Sequence, residues 1–165
     1  MQAHAKNAVE PEADREIILT RVYDAPARLL FECWSKPEHV MKWFGPVGWP
    51  LTLCEIDFRK GGRFRFAMTG SSGQQNPPFG GEYLEIAPPR KLVFTNGFEQ
   101  PDAEKMIWTV TFDEKDGKTT LTIRTLFSTV AMKNSHIEMG FREGLGSGLD
   151  QLADVVAALV AKDGA

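Results

Sequence analysis

Apolar and polar residues alternate with a period of two through the middle of the sequence, and this pattern constrains the fold most. Phe64, Phe66 and Met68 share one side of a segment whose other side carries Arg63 and Arg65. Successive side chains of a strand point to opposite faces, so such segments predict strands with one apolar face. The predicted strands are 15–23, 51–58, 63–69, 80–86, 91–96, 105–113 and 118–127. They predict a seven-stranded antiparallel sheet whose apolar face must be covered.

The connections between the last six strands alternate in length. Tight turns are indicated at Gly61-Gly62, Pro88-Pro89 and Asp116-Gly117, whereas the connections 70–79, 97–104 and 128–134 are longer. Successive connections of an antiparallel meander lie at opposite ends of the sheet. The three long connections are therefore predicted to meet at one loop-rich end.

Helical patterns occur on both sides of this region. Pro26 can begin a short helix, and Ser35-Lys36-Pro37-Glu38 has the spacing of a capping box, which predicts a second short helix ending at Gly45-Pro46. Near the C-terminus an apolar stripe with helical spacing predicts a helix of about 25 residues; it comprises Ile137, Phe141, Leu145, Leu149, Leu152, Val156 and Leu159. The predicted fold class is α+β, a curved seven-stranded antiparallel sheet around a long C-terminal helix, with two short helices after the first strand. Residues 1–14 are predicted to be a flexible tail and residues 15–161 a single domain.

The predicted C-terminal helix contains Gly140, Gly144, Gly146 and Gly148. Each internal glycine costs a helix about 0.5–1 kcal/mol relative to alanine, so their presence needs a compensating reason. One interpretation is a kink or a close approach of the helix backbone to a neighbouring element. The other is that missing side chains keep space open beneath the helix for a ligand. The sequence leaves both open.

Composition argues against several classes of partner. The formal net charge is −3 and no basic run is present, which disfavours nucleic acid and an anionic membrane surface. No apolar run approaches the length needed to insert into a bilayer, and the polar N-terminus does not resemble a signal peptide. We therefore expect a cytoplasmic protein in which Cys33 and Cys54 are reduced.

Four segments, in order, resemble the SRPBCC (START-like) superfamily, and within it the group related to the C-terminal domain of the activator of Hsp90 ATPase. They are PARLLFECWSKPEHVMKWFGP (26–46), IDFRKGGRFRFAM (56–68), GEYLEIAPPRKLVFT (81–95) and GFREGLGSGLDQLADVV (140–156). The resemblance implies a helix-grip fold with a cavity between sheet and terminal helix. It also implies that the mouth lies at the loop-rich end.

We therefore predict a small hydrophobic or aromatic ligand in that cavity. The predicted ligand-binding residues are Trp43, Phe64, Phe66, Met68, Glu82, Tyr83, Phe94, Trp108, Phe141, Gly144, Leu145 and Gly148. No cofactor is predicted, and the histidines His4, His39 and His136 show no metal-ligand spacing.

Three alternatives remain at this point. Glu82 shares a strand face with Leu84 and Ile86, so it could point inward with a raised pKa and serve an enzyme of the cyclase, aromatase or hydrolase type. The competing interpretation pairs Glu82 with Arg63, Arg65 or Arg90. An Hsp90-type chaperone interaction follows only from the resemblance, and a homodimer through an exposed sheet edge is left open.

Overall fold

The computed structural model describes residues 9–163. Its strands are β1 (Glu16–Tyr23), β2 (Leu51–Ile56), β3 (Arg63–Met68), β4 (Phe79–Ala87), β5 (Lys91–Phe98), β6 (Met106–Lys115) and β7 (Lys118–Leu126). They form one antiparallel seven-stranded sheet in the order β1-β7-β6-β5-β4-β3-β2. This architecture confirms the predicted fold class, and the strand ends differ from the predicted ones by a residue or two.

The helices are α1 (Ala27–Ser35), α2 (Pro37–Trp43), α3 (Val130–Glu138) and α4 (Phe141–Asp163). The capping-box prediction was wrong: Lys36 is the N-cap of α2, and Ser35 is the last residue of α1, where its Oγ donates to Glu32 O. Helix α3 was also missed, because 128–134 was predicted to be a loop. Thr129 begins this helix by accepting a hydrogen bond from Met132 N.

Helix α4 is gripped along the apolar face of the sheet. At 1.5 Å per residue its 23 residues span about 34 Å. Leu149, Leu152 and Val156 are buried in the core. The buried Tyr23 hydroxyl of β1 donates to Leu149 O over 2.9 Å and fastens the helix to the edge strand. By length and composition α4 could cross a membrane, but its apolar stripe packs in the core of a soluble-protein fold.

Three of the four glycines of the C-terminal segment have distinct surroundings. Gly140 lies between α3 and α4 with a φ of +86°, so the predicted continuous helix is broken there. A Cβ at Gly148 would lie 3.1 Å from Trp43 O, which identifies a close approach to the end of α2. A Cβ at Gly144 would meet only Pro46 Cγ, at 4.0 Å. The close approach is therefore found at Gly148 and a break at Gly140, while open space beneath the helix is found at Gly144.

A β-bulge in β4 changes which side chains face the core. Tyr83 lies opposite Phe94 of β5, whereas Glu85 lies opposite Val93, so Leu84 is an extra residue. Tyr83 is buried and Leu84 is 38% exposed. The bulge shifts the inward and outward alternation of the strand by one position.

The predicted flexible tail falls partly outside the described residues, because 1–8 are not among them. The described part contacts the folded core. Glu10 accepts a hydrogen bond from Val130 N at 2.9 Å, and Glu12 pairs with Arg124 of β7 at 2.9 Å. Residues 12–15 form a 3₁₀ turn that leads into β1.

Candidate functional site

A cavity of about 290 Å³ lies between the sheet and the start of α4. Its walls come from the end of α2, from β5 and β6, from the loop before β4, and from the junction of α3 and α4. It is lined by Trp43, Phe44, Gly45, Pro46, Met68, Asn76, Pro77, Phe79, Asn96, Gly97, Phe98, Met106, Trp108, His136, Met139, Gly140, Phe141, Gly144, Leu145 and Gly148. Asn76 and Pro77 of the predicted connection 70–79 and Gly97 and Phe98 of the predicted connection 97–104 lie on its wall, whereas none of the described residues 128–134 does.

The cavity wall is mainly aromatic and aliphatic. Trp108 of β6 stacks on Phe94 with ring centroids 5.6 Å apart, and it also contacts Phe141 of α4 edge-on at 6.0 Å. The ring centroid of Phe44 lies 6.1 Å from that of Phe79 and 6.4 Å from that of Trp108. Aromatic rings at these separations pack favourably and form a rigid apolar surface.

Gly144 is the point at which α4 leaves this space open. Outside the helix's own backbone, Pro46 Cγ is the one heavy atom of the described residues that comes within 4 Å of where a Cβ would stand. One turn further along, Gly148 brings α4 against the backbone of Trp43 and Gly45. Gln151 Nε2 donates to Gly45 O over 2.7 Å and holds this contact. Helix α4 is therefore held against the end of α2 at Gly148 and Gln151, and at Gly144 it leaves the cavity unfilled.

The structure brings together only part of the predicted ligand-binding set. On the cavity wall lie Trp43, Met68, Trp108, Phe141, Gly144, Leu145 and Gly148. Phe64, Phe66, Tyr83 and Phe94 instead border a space of about 20 Å³ between the sheet and helices α1 and α2, too small for an organic ligand. These four side chains are buried and fill the core.

Glu82 does not point inward, so the predicted internal carboxylate is wrong. The bulge at Leu84 puts Glu82 and Ile86 on opposite faces although their spacing suggested one face. The Glu82 side chain is 46% exposed on the outer face, where Oε1 lies 4.0 Å from Arg63 Nη1. This is the pairing with Arg63 that the sequence left as the alternative, and it removes Glu82 from the cavity.

Sequence reasoning missed several wall residues. Phe44, Phe79, Phe98, Met106 and Met139 are apolar residues whose type alone could not separate wall from core. Asn96 carried a usable signal, because Leu92, Phe94 and Asn96 share one face of β5. A polar residue on an otherwise apolar strand face is the informative exception.

Two polar atoms of wall residues are buried without a hydrogen-bond partner among the described residues. They are Oδ1 of Asn96, a residue 5% exposed, and Nε1 of Trp108, a residue 3% exposed. Buried polar groups in folded proteins are nearly always paired, so each such atom requires a reason.

His136 lies where the cavity opens. Its Nδ1 is 2.9 Å from Met132 O and donates to that carbonyl, which leaves Nε2 as the acceptor of the neutral ring. The ring packs on Phe127 at 5.1 Å between centroids. Among the residues that line the described cavity, His136 is the one with a titratable side chain.

Burial raises the pKa of several groups in the surrounding core. The pKa of the Tyr83 hydroxyl lies well above its ordinary value because burial penalises the charged form, and the nearby Cys54 adds to the shift. Burial also raises the pKa of Cys54 to about 11 and that of Cys33 to about 12. These groups are neutral at physiological pH, and both cysteines are free thiols.

The family model for the activator of Hsp90 ATPase homolog 1-like protein matches residues 24–157. The chain belongs to this family. The match covers most of the sequence and confirms the resemblance to this group of the SRPBCC superfamily. The family fold is consistent with a ligand-binding cavity between sheet and helix. No curated protein matches the chain significantly.

Solved structures support the same fold. A crystal structure of a protein from Nitrosomonas europaea is similar at 27% identity and a TM-score of 0.82, covering 92% of this chain and 99% of that one. A protein from Mycobacterium smegmatis is similar at 25% identity and a TM-score of 0.79, covering 93% and 98%. A solution structure from Arthrobacter aurescens, at 23% identity and a TM-score of 0.82, covers 90% of each chain and shares the fold.

Proposed function

We propose that the protein binds a small hydrophobic or aromatic molecule in the cavity between the sheet and α4. The observation that carries the proposal is the apolar space of about 290 Å³ that Gly144 leaves open. Ligand pockets commonly begin near 300 Å³, and an apolar cavity of about 150 Å³ is enough for benzene. Apolar burial supplies the affinity of such a ligand, since its transfer out of water is favourable.

The position of the cavity supports ligand entry. Asn76, Pro77 and Phe98 belong to the loop-rich end and are exposed, so the space is not sealed inside the core. Met139, at the α3–α4 junction, is 67% exposed beside the same opening. The left-handed Gly140 separates the two helices there.

The proposal is tested by titrating the protein with N-phenyl-1-naphthylamine, whose fluorescence increases in an apolar site. We expect about one equivalent to bind with a Kd of about micromolar, from the affinity per atom of small ligands. Gly144→Leu places a side chain in the cavity without striking backbone, and we expect the affinity to fall at least about tenfold.

The matched control is Gly146→Leu in the same helix. A Cβ at Gly146 would lie 3.3 Å from Nη2 of Arg21, the far end of a partly exposed side chain that pairs with Asp150, and Gly146 does not line the cavity. We expect this variant to bind the probe as the unchanged protein does. A folded Gly144→Leu protein with full affinity would contradict the proposal.

We also propose a cytoplasmic location. The free thiols Cys33 and Cys54 support it, because oxidising compartments favour disulfides. Fractionation of the producing cells would test it, and recovery of the protein in an oxidising compartment would contradict it. The homodimer and the chaperone interaction stay predictions.

A further inference from the structure

The unpaired polar atoms of the core separate into two groups. Trp34 Nε1, His39 Nδ1 and Thr125 Oγ1 also lack partners, but these residues do not line the cavity. Within residues 9–163, Asn96 and Trp108 alone combine an unpaired buried polar atom with a place on the cavity wall. Asn96 also borders the smaller space of about 20 Å³, which has room for a water but not for an organic ligand. The cavity is the space that both Asn96 and Trp108 border, so a ligand there is a partner available to both.

The sheet register brings these two residues together. Asn96 of β5 lies opposite Met106 of β6, and Trp108 lies opposite Phe94, so Asn96 and Trp108 are diagonal neighbours on one face. Such neighbours are about 7 Å apart, within reach of long side chains and of one group placed between them. Asn96 offers an acceptor at Oδ1, and Trp108 offers a donor at Nε1.

The remaining wall restricts what the ligand can be. No Asp, Glu, Lys or Arg lines the cavity in the described part of the chain, and a charged ligand would lose hydration without finding a counter-charge. The volume of about 290 Å³ is about twice that of a cavity that holds benzene. The aromatic rings of Trp43, Phe44 and Trp108 provide flat packing surfaces.

We propose, on the basis of the proposed binding function, that the cavity selects a neutral aromatic ligand of about two rings that carries a hydroxyl group. The hydroxyl hydrogen is donated to Asn96 Oδ1, and the hydroxyl oxygen accepts from Trp108 Nε1. The rings pack between α4 and the sheet. Asn96 and Trp108 thereby determine specificity, while the apolar wall supplies the bulk of the affinity.

The test compares 2-naphthol with naphthalene as competitors of bound N-phenyl-1-naphthylamine. In a wholly apolar cavity the hydroxyl would lose its hydrogen bonds to water, and 2-naphthol would compete less well than naphthalene. With both polar partners present we expect 2-naphthol to compete about tenfold better. We expect 2-methoxynaphthalene, which keeps the oxygen but has no hydroxyl hydrogen, to fall between them.

Variants then assign the preference to the two residues. We expect Asn96→Leu to reduce the advantage of 2-naphthol over naphthalene, both measured in that variant, to less than about twofold. Trp108→Phe keeps an aromatic ring against Phe94 and Phe141 but has no N–H, so it should also reduce the advantage. Trp34→Phe is the matched control, because it removes an unpaired indole N–H outside the cavity.

The outcomes separate this inference from the binding function. If the probe does not bind, or binds equally to the folded Gly144→Leu protein, the binding function fails. If the probe binds at the cavity but 2-naphthol competes no better than naphthalene, the binding function stands and the polar selection is wrong. A preference for 2-naphthol that persists in Asn96→Leu and Trp108→Phe would also overturn it. The ligand series on the unchanged protein decides the question even if a variant does not fold.

Discussion

A single added methyl group should change the stability of the protein in opposite directions at two glycines of α4, Gly144 over the cavity and Gly148 against the end of α2. Gly144→Ala and Gly148→Ala both remove a helix glycine, which stabilises an exposed helix by about 0.5–1 kcal/mol. Because this contribution is common to both variants, it cancels when they are compared with each other. The difference between them then reports what the new Cβ contacts.

The surroundings of the two positions set the size of that difference. At Gly144 the new carbon has ordinary contact with Pro46 Cγ at 4.0 Å. The whole stabilisation from replacing a helix glycine should therefore be measured. At Gly148 it would lie 3.1 Å from Trp43 O, a backbone atom held by the contact between α2 and α4. Overpacking of this kind costs about 1–3 kcal/mol. We expect Gly144→Ala to stabilise the protein, with a free energy of unfolding about 1–3 kcal/mol higher than that of Gly148→Ala.

Urea unfolding followed by tryptophan fluorescence and by circular dichroism measures this difference. With a denaturant dependence of about 2 kcal/mol per molar, a difference of about 2 kcal/mol separates the two midpoints by about 1 M. Gly146→Ala serves as a reference, since its Cβ meets only the flexible end of Arg21. Equal midpoints for Gly144→Ala and Gly148→Ala would refute the distinct roles assigned to these glycines.

Two further predictions concern the core. Thr119 and Thr125 of β7 are both fully buried, but only Thr119 Oγ1 has a partner among the described residues, donating to Ala25 O over 2.7 Å. In urea unfolding we expect Thr119→Val to lower the free energy of unfolding by about 1–3 kcal/mol and Thr125→Val to leave it unchanged. An equal decrease in both variants would contradict this. Burial raises the pKa of Cys33 to about 12 and that of Cys54 to about 11. The native protein therefore retains protons that the unfolded chain releases above about pH 9. The free energy of unfolding should therefore fall as the pH rises from about 9 towards 11, and more gradually in Cys33→Ala/Cys54→Ala; a urea midpoint constant over this interval would disprove the coupling.

Strands and the gripped helix could be predicted because their signal is local. Each strand repeats an apolar residue at every second position, and burial on one face requires that repetition. Leu149, Leu152 and Val156 give α4 the same kind of signal at helical spacing. Connection lengths alone placed the connections before β4 and after β5 at the same end of the sheet, but they did not reveal that the third connection contains α3.

The failures have equally specific causes. Helix α3 (VAMKNSHIE) buries none of its residues fully, so it has no apolar stripe to reveal it, and only Thr129 marks its start. Glu82 was misplaced because a bulge changes the face of every later residue without changing the composition of the strand. Ser35 had the spacing of a cap, but α1 continues through that residue.

The candidate site was less accessible than the fold. Phe64 and Phe66 alternate on the inner face as wall residues would, yet they fill the core, because the space available at each inward position depends on how the helices lie over the sheet. That arrangement is set by distant contacts such as Gln151 with Gly45. Asn96 is the exception, a polar residue whose inward position was visible in the sequence.

The location of Asn96 and Trp108 in the middle of the strand order has a consequence for substitutions around the cavity. Strands β5 and β6 are hydrogen-bonded on both sides, whereas the opening is formed by the 70–79 loop, the end of β5 and the α3–α4 junction. Loops accept substitutions and insertions that a central ladder does not. Changes at the rim would therefore alter the size and outline of the proposed ligand without disturbing the strands that carry Asn96 and Trp108.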